Sequence, residues 1–149
     1  MTVTREAIIA EARSWLGTPY HRGARVKGAG CDCATLIAQV CIDLGLIPDI
    51  EIPRESANHF LANEDPLYLQ TVMQYADEIP ESEVQPGDVV MYRRPGWKIF
   101  THAAIVVDWS SAVIHASISR GVIMSHGVEG AMRRWERRYF RAKALNGGA

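Results

Sequence analysis

Cys33 is placed as a sulfur nucleophile would be. Directly before it runs Lys27-Gly28-Ala29-Gly30-Cys31-Asp32, a glycine-rich turn ending in an aspartate. Aspartate is a favoured helix N-cap, and Leu36, Ile37, Val40, Cys41 and Leu44 recur at helical spacing before a stop at Gly45. Cys33 is therefore predicted in the first turn of a helix, where unpaired N–H groups and the positive dipole end favour a thiolate. The expectation is a thiol pKa lowered from ~8.5 into the range of about 3.5–7.5. Such a sulfur needs a base, and the base needs a third group to hold it. His102 opens the apolar run Ala103–Val107, so it stands at a strand end where a side chain can face a cleft. His115 lies inside the next strand, and neighbouring strands can bring the two imidazoles together.

Each of these residues has a plainer use to be weighed against that chemistry. Free cysteine often packs as a small hydrophobe, and most histidines are satisfied partners in polar networks. Cys31, Cys33 and a histidine could ligate zinc, yet Cys-x-Cys without a second pair fits structural zinc spacings poorly. A redox pair would ordinarily be spaced Cys-x-x-Cys. Cys41 sits on the apolar stripe and reads as core. His21, His59 and His126 are loop-like, with His21 the reserve candidate because it follows Tyr20.

The elements that must position these groups fall into two halves. Thr4 can cap a first helix carrying Ile8, Ala12, Trp15 and Leu16 on one face, ended by Gly17-Thr18-Pro19. The helix opening at Cys33 follows. Glu55 to Leu61 suggests a short helix, and Asp65-Pro66 reads as a cap and first position of another through about Tyr75. After Pro86-Gly87-Asp88 come β-prone runs: Val89–Tyr92, Ala103–Val107, Val113–Ala116, Gly121–Met124 and Arg138–Ala142. Helices first and closely spaced strands afterwards argue for α+β, with N-terminal helices packed on a C-terminal antiparallel sheet. No boundary breaks the chain, and residues 1–149 read as one domain.

Composition narrows the partners. The 149 residues are 48% hydrophobic and 22% charged, with formal net charge −1, which gives no reason to expect nucleic-acid binding. The run Arg133, Arg134, Arg137, Arg138, Arg141 and Lys143 reads as a solvated strand or helix face, as on a guarded edge strand, or as a docking surface. Three cysteines make a disulfide framework improbable. No stretch approaches transmembrane length, so no membrane insertion is expected. The N-terminal residues lack the charged start and apolar run of a secretory signal, which predicts synthesis in the cytoplasm.

Five blocks in order resemble one family. Trp15-Leu16-Gly17-Thr18-Pro19-Tyr20, Gly30-x-Asp32-Cys33, Pro86-Gly87-Asp88, His102-Ala103-Ala104-Ile105-Val106 and Ile114-His115-Ala116-Ser117 are similar to the NlpC family of papain-like cysteine peptidases. That family cleaves peptidoglycan stem peptides. The resemblance implies Cys33 as nucleophile, His102 as general base and His115 as the group orienting it. Tyr20 and Asp32 would lie on the substrate and oxyanion side, the bond cut would join γ-D-glutamate to the diamino acid, and neither metal nor organic cofactor would be needed. The Lys27–Cys33 form looks most like a phage-tail and gene-transfer-particle branch, which implies tail or particle proteins as partners and action in the periplasm or at the wall. Ala34-Thr35 replaces the common Ser-Gly after the cysteine, and Ala103-Ala104 the common Val-Gly after the histidine. A papain-like amidase on another substrate, or a non-catalytic tail-assembly protein, are the alternatives.

Overall fold

The computed structural model describes residues 2–52 and 67–146. Helix α1 spans Arg5–Ser14, and the Thr4 hydroxyl accepts the Ala7 N–H at 3.0 Å, as its position predicts. The helix ends before Trp15, so the expected apolar face is shorter than its sequence pattern. Trp15 is buried beyond the last turn, whereas Leu16 is exposed. A two-residue pair, β1 (Arg25–Val26) with β2 (Gly30–Cys31), leads into α2 (Cys33–Asp43). Helix α3 is Leu67–Tyr75, ending where expected. The proposed helix over 55–61, the Asp65-Pro66 cap and His59 lie outside the described residues.

The remaining strands are β3 (Ala76–Ile79), β4 (Val89–Arg93), β5 (His102–Asp108), β6 (Ala112–Ser117), β7 (Gly121–Ser125) and β8 (Glu136–Ala142). They form one antiparallel sheet in the order β3-β8-β4-β5-β6-β7, and a short helix α4 (Lys143–Asn146) follows. The α+β class expected from the element order is the one observed. Among the described residues no helix is long and apolar enough to cross a membrane.

Both faces of the sheet are buried at its centre. Met91, Ala103, Ile105, Ile114 and Ala116 pack with Ile8, Ala12, Trp15, Leu36 and Val40 from α1, α2 and the turn between them. Val90, Tyr92, Ala104, Val106 and Val113 pack with Met132 and Tyr139 on the opposite face. A strand buried on both sides has no polar face to alternate with, which explains why Ala103–Val107 is an unbroken apolar run. At about 1.5–3 kcal/mol for each large aliphatic side chain removed from water, this double burial is what holds the strand ends still.

One expectation is corrected here. β8 is an interior strand, because Ala76–Ile79 pairs along it and takes the edge. Its arginines are therefore not a free basic face: Arg138 pairs with Glu78, Arg141 with Asp88, and Arg93 of β4 with Glu136.

Candidate active site

Asp32 does what its place before the helix predicts. Its Oδ1 accepts the Thr35 N–H at 2.9 Å, and Thr35 Oγ1 accepts the Asp32 N–H at 2.8 Å, a reciprocal cap. Its Oδ2 accepts the Gly23 N–H at 2.7 Å, tying the loop after Tyr20 to the helix start. Cys33 is thereby fixed as the first residue of α2, and its Sγ–H donates to the Thr101 carbonyl at 3.3 Å. That bond carries the sulfur to the residue immediately before His102.

The expected thiolate is not the resting form. Burial pushes the Cys33 thiol up to about 12, and the neighbouring Asp32 charge adds to the rise. Hydrogen bonds from the Ala103, Ala34 and Cys33 backbone act in the opposite direction and do not outweigh them. Two costs oppose the helix dipole here: desolvation of a charge, and the capping carboxylate that already answers the positive helix end.

His102 opens β5 and His115 sits in β6, as expected, and their rings meet. His102 Nε2 lies 2.9 Å from His115 Nδ1, and His115 Nε2 lies 2.7 Å from the Ser125 hydroxyl. The rings stand edge to face, with centroids 5.0 Å apart. Burial, with His115 as a second cationic site beside it, pushes His102 down to about 3. Burial pushes His115 down to about 4, helped by Arg120. Both imidazoles are neutral at physiological pH.

Tyr20 is held from two sides. The Pro19 carbonyl accepts the Cys31 N–H at 3.1 Å and the Cys31 carbonyl accepts the His21 N–H at 2.9 Å, bridging Tyr20 to β2. Thr18 and Gly17 are bonded to Val122 of β7 at 2.9 and 3.0 Å. This approach requires glycine at 121, where φ is +75° and a Cβ would lie 2.5 Å from the Thr18 carbonyl oxygen. Burial raises the Tyr20 phenol to about 12, so it remains an O–H donor.

Cys33, His102, His115, Tyr20 and Asp32 all line one open cleft of about 1330 Å³. Cys31 is fully buried away from it, and Cys31, Cys33 and Cys41 are all free thiols. Among the described residues no group of three or more histidine, cysteine or acidic side chains could hold a metal ion. A neutral thiol and a neutral imidazole pair lining one cleft are the groups that nucleophilic attack with proton transfer requires.

Residues 17–144 match the NlpC/P60 family. The chain belongs to that family. The fold agrees: the NlpC/p60 domain of the peptidoglycan hydrolase SagA superposes with a TM-score of 0.60 at 22% identity, covering 91% of this chain and 97% of that one. RipD from Mycobacterium tuberculosis, described as a non-catalytic NlpC/p60 protein adapted to peptidoglycan binding, superposes at 0.58 with 16% identity, over 95% and 98% of the two chains. An NlpC/P60 protein from Bacillus cereus superposes at 0.65 with 19% identity; the match covers 93% of this chain but 40% of that protein. A search of curated protein sequences gives no significant match.

Within this NlpC/P60 domain, one expected role changes. Asp32 borders the cleft, but both its oxygens accept backbone N–H groups, and a carboxylate would repel a developing oxyanion. Its part is to cap and position. His21 is not in the cleft wall; its ring packs over Gly30, where a Cβ would come within 2.8 Å of it. Four further residues belong to the site without a motif to mark them: Ser125 behind the imidazole pair, and Arg94, Trp97 and Trp135 in the cleft wall. Ser125 was findable, because it lies two residues beyond Ile123, the register partner of His115, on the same face of β7. Of the other three, Arg94 and Trp97 come from the β4–β5 loop and Trp135 from the segment before β8, so the set shares no sequence period.

Proposed function

We propose that this NlpC/P60 domain is a cysteine endopeptidase that hydrolyses peptidoglycan stem peptides at the bond from γ-D-glutamate to the diamino acid. The observation that carries this is the His102–His115 contact of 2.9 Å in the cleft that Cys33 enters from the tip of α2. Service within a phage tail or similar particle is supported by the Lys27–Cys33 sequence form. SagA, described as a peptidoglycan hydrolase, supports peptidoglycan as the substrate class.

The resting state decides how the reaction begins. With the thiol raised and the imidazole lowered, no standing ion pair is available, and the proton leaves Cys33 as sulfur attacks. His102 uses Nε2 toward His115, so its Nδ1 is the nitrogen left to receive that proton. The competent arrangement has His102 Nε2–H donating to His115 Nδ1, and His115 Nε2–H donating to Ser125. The reverse arrangement leaves the proton on His102 Nδ1 and makes it useless as a base. The Cys33 backbone N–H and the Tyr20 O–H are the donors for the developing oxyanion. The imidazolium at His102 then protonates the leaving amine, and water releases the acyl group from sulfur.

Purified sacculi test this directly. Wild type is expected to release fragments whose new N-terminus is the diamino acid, identified by mass spectrometry, and Cys33→Ala to release none. Equal release by both proteins overturns the proposal. Fragments lacking that terminus point instead to an amidase acting elsewhere.

A second reading is favoured by the thiol itself. Its hydrogen bond to Thr101 and its raised pKa suit an inert cleft that only binds its ligand, in line with RipD, which is described as non-catalytic and adapted to peptidoglycan binding. Binding of stem peptide without hydrolysis by wild type would select it.

A further inference from the structure

Most charged side chains near the cleft are already engaged. Arg25 bonds Gln39, Asp49 and the Ile50 carbonyl, and Asp32 is consumed by the helix cap. Arg94 differs. Its guanidinium carbon lies 4.9 Å from the Trp97 ring centre and 5.1 Å from that of Trp135, clamped between two indoles. It forms no ion pair with any described carboxylate, and its buried Nε has no hydrogen-bond partner. All three side chains line the cleft beside His102, whose ring stacks edge-on against Trp135 at 5.6 Å.

An arginine immobilised by aromatic stacking has lost its flexibility but kept its charge and its planar array of donors. Without an ion-pair partner among the described residues and set in a partly enclosed wall, it is prepared for an anion to arrive. Carboxylate is the anion that guanidinium recognises with two parallel hydrogen bonds. Arg94 also opposes protonation of His102, and an anion seated on it would offset that effect as the imidazole takes up its proton.

We propose that Arg94, held by Trp97 and Trp135, is a recognition point for a free carboxylate flanking the scissile amide, so that the cleft selects stem peptides bearing that charge. This rests on the peptidase reading for its choice of ligand. Two carboxylates in a stem peptide have the required chemistry: the α-carboxylate of the γ-linked D-glutamate, and the side-chain carboxylate of a diaminopimelate. Wall types in which the first is amidated, or in which lysine replaces the second, lack one of them.

The test uses the full chain carrying Cys33→Ala, so that binding is read without turnover. Three tripeptides, each with its C-terminal α-carboxyl blocked as the amide, are titrated by calorimetry: L-Ala-γ-D-Glu-diaminopimelate, its D-isoglutamine counterpart and its lysine counterpart. The expected result is at least about tenfold weaker binding of one counterpart, as for a lost charge-assisted pair. Weakness of the isoglutamine peptide assigns the glutamate carboxylate, and weakness of the lysine peptide assigns the diamino acid. Adding Arg94→Gln should abolish the discrimination while leaving the weaker peptide's affinity unchanged; Arg94→Lys should keep part of it. Equal binding of all three peptides, absence of binding, or discrimination that survives Arg94→Gln overturns the inference. Should Arg94→Gln fail to fold, the first comparison together with Arg94→Lys still decides it. Wild-type hydrolysis without discrimination removes only the Arg94 inference. Arg94-dependent discrimination in a chain that hydrolyses nothing removes the peptidase reading instead.

Discussion

The β4–β5 hairpin has two ends, and they treat polar groups in opposite ways. At one end Asp88 is fully buried, and everything it offers is taken. Its Oδ1 accepts Arg5 and Arg141 at 3.0 and 3.1 Å, and its Oδ2 accepts Arg141 and the Gln85 N–H, both at 2.9 Å. This cluster joins α1, the start of β4 and β8, with one buried carboxylate shared by two guanidiniums. At the other end stand His102, Arg94 and, through Thr101, Cys33. There the imidazole and the thiol are held neutral by burial, and among the described residues the Arg94 guanidinium stacks on two indoles and forms no ion pair. A fold closes its structural polar groups on one another; groups left open in a cleft are those that a ligand completes. Asp88 sits in a sequence block shared with the family and still does no chemistry.

The sharpest way to break this contrast is to exchange the consequences. His102→Ala should lower kcat/KM on a stem-peptide substrate by about 10²–10⁴-fold, at a stability cost of about 1–3 kcal/mol because His115 Nδ1 loses its partner. Asp88→Ala should do the reverse. Loss of a buried carboxylate that holds two guanidiniums costs about 3–5 kcal/mol, toward the lower figure because Arg5 and Arg141 retain 25% and 13% exposure. Urea denaturation reads the loss, and kcat/KM per folded molecule should remain near wild type. Comparable activity losses in the two variants would mean that the ends are not separate.

The neutral thiol gives the next test. With Cys33 raised to about 12 and His102 lowered to about 3, the thiolate fraction grows tenfold with each pH unit through the neutral range. Iodoacetamide modification of the Cys33 peptide, followed by mass spectrometry, should therefore accelerate about 100-fold between pH 7 and pH 9. A rate already level above pH 7.5 would show a pre-formed thiolate, as the helix-dipole argument alone expects.

That reversal marks the limit of what letters reveal. The α2 start, its Asp32 cap and the meeting of His102 with His115 were legible, because each depends on local propensity or on neighbouring strands. The direction of the Cys33 shift was not, since it depends on how much protein surrounds the sulfur, a three-dimensional quantity. β3 leaves little trace in the sequence for a related reason: Ala76-Asp77-Glu78-Ile79 has neither a β-branched run nor alternation, and its partner is the distant β8, whose Arg138 also binds Glu78. Missing it turned an interior strand into a supposed edge. Arg94, Trp97 and Trp135 were hidden because a clamp built from separate loops leaves no period in the sequence.

The smallest effect concerns Ser125, the polar group furthest behind the cleft. A hydroxyl can donate or accept, so Ser125 permits the competent proton arrangement of the imidazole pair without enforcing it. Ser125→Ala removes the acceptor that His115 Nε2–H needs, and the reverse arrangement gains population. Loss of one such hydrogen bond, about 0.5–1.5 kcal/mol, corresponds to up to about a tenfold fall in kcat, with KM unchanged because no substrate contact is lost. Ser125→Asp offers only an acceptor, which fixes the proton on His115 Nε2 and therefore on His102 Nε2. That variant should keep activity within a few-fold of wild type. Full activity in Ser125→Ala would end the relay at His115 and leave Ser125 as a closed structural contact, like those around Asp88.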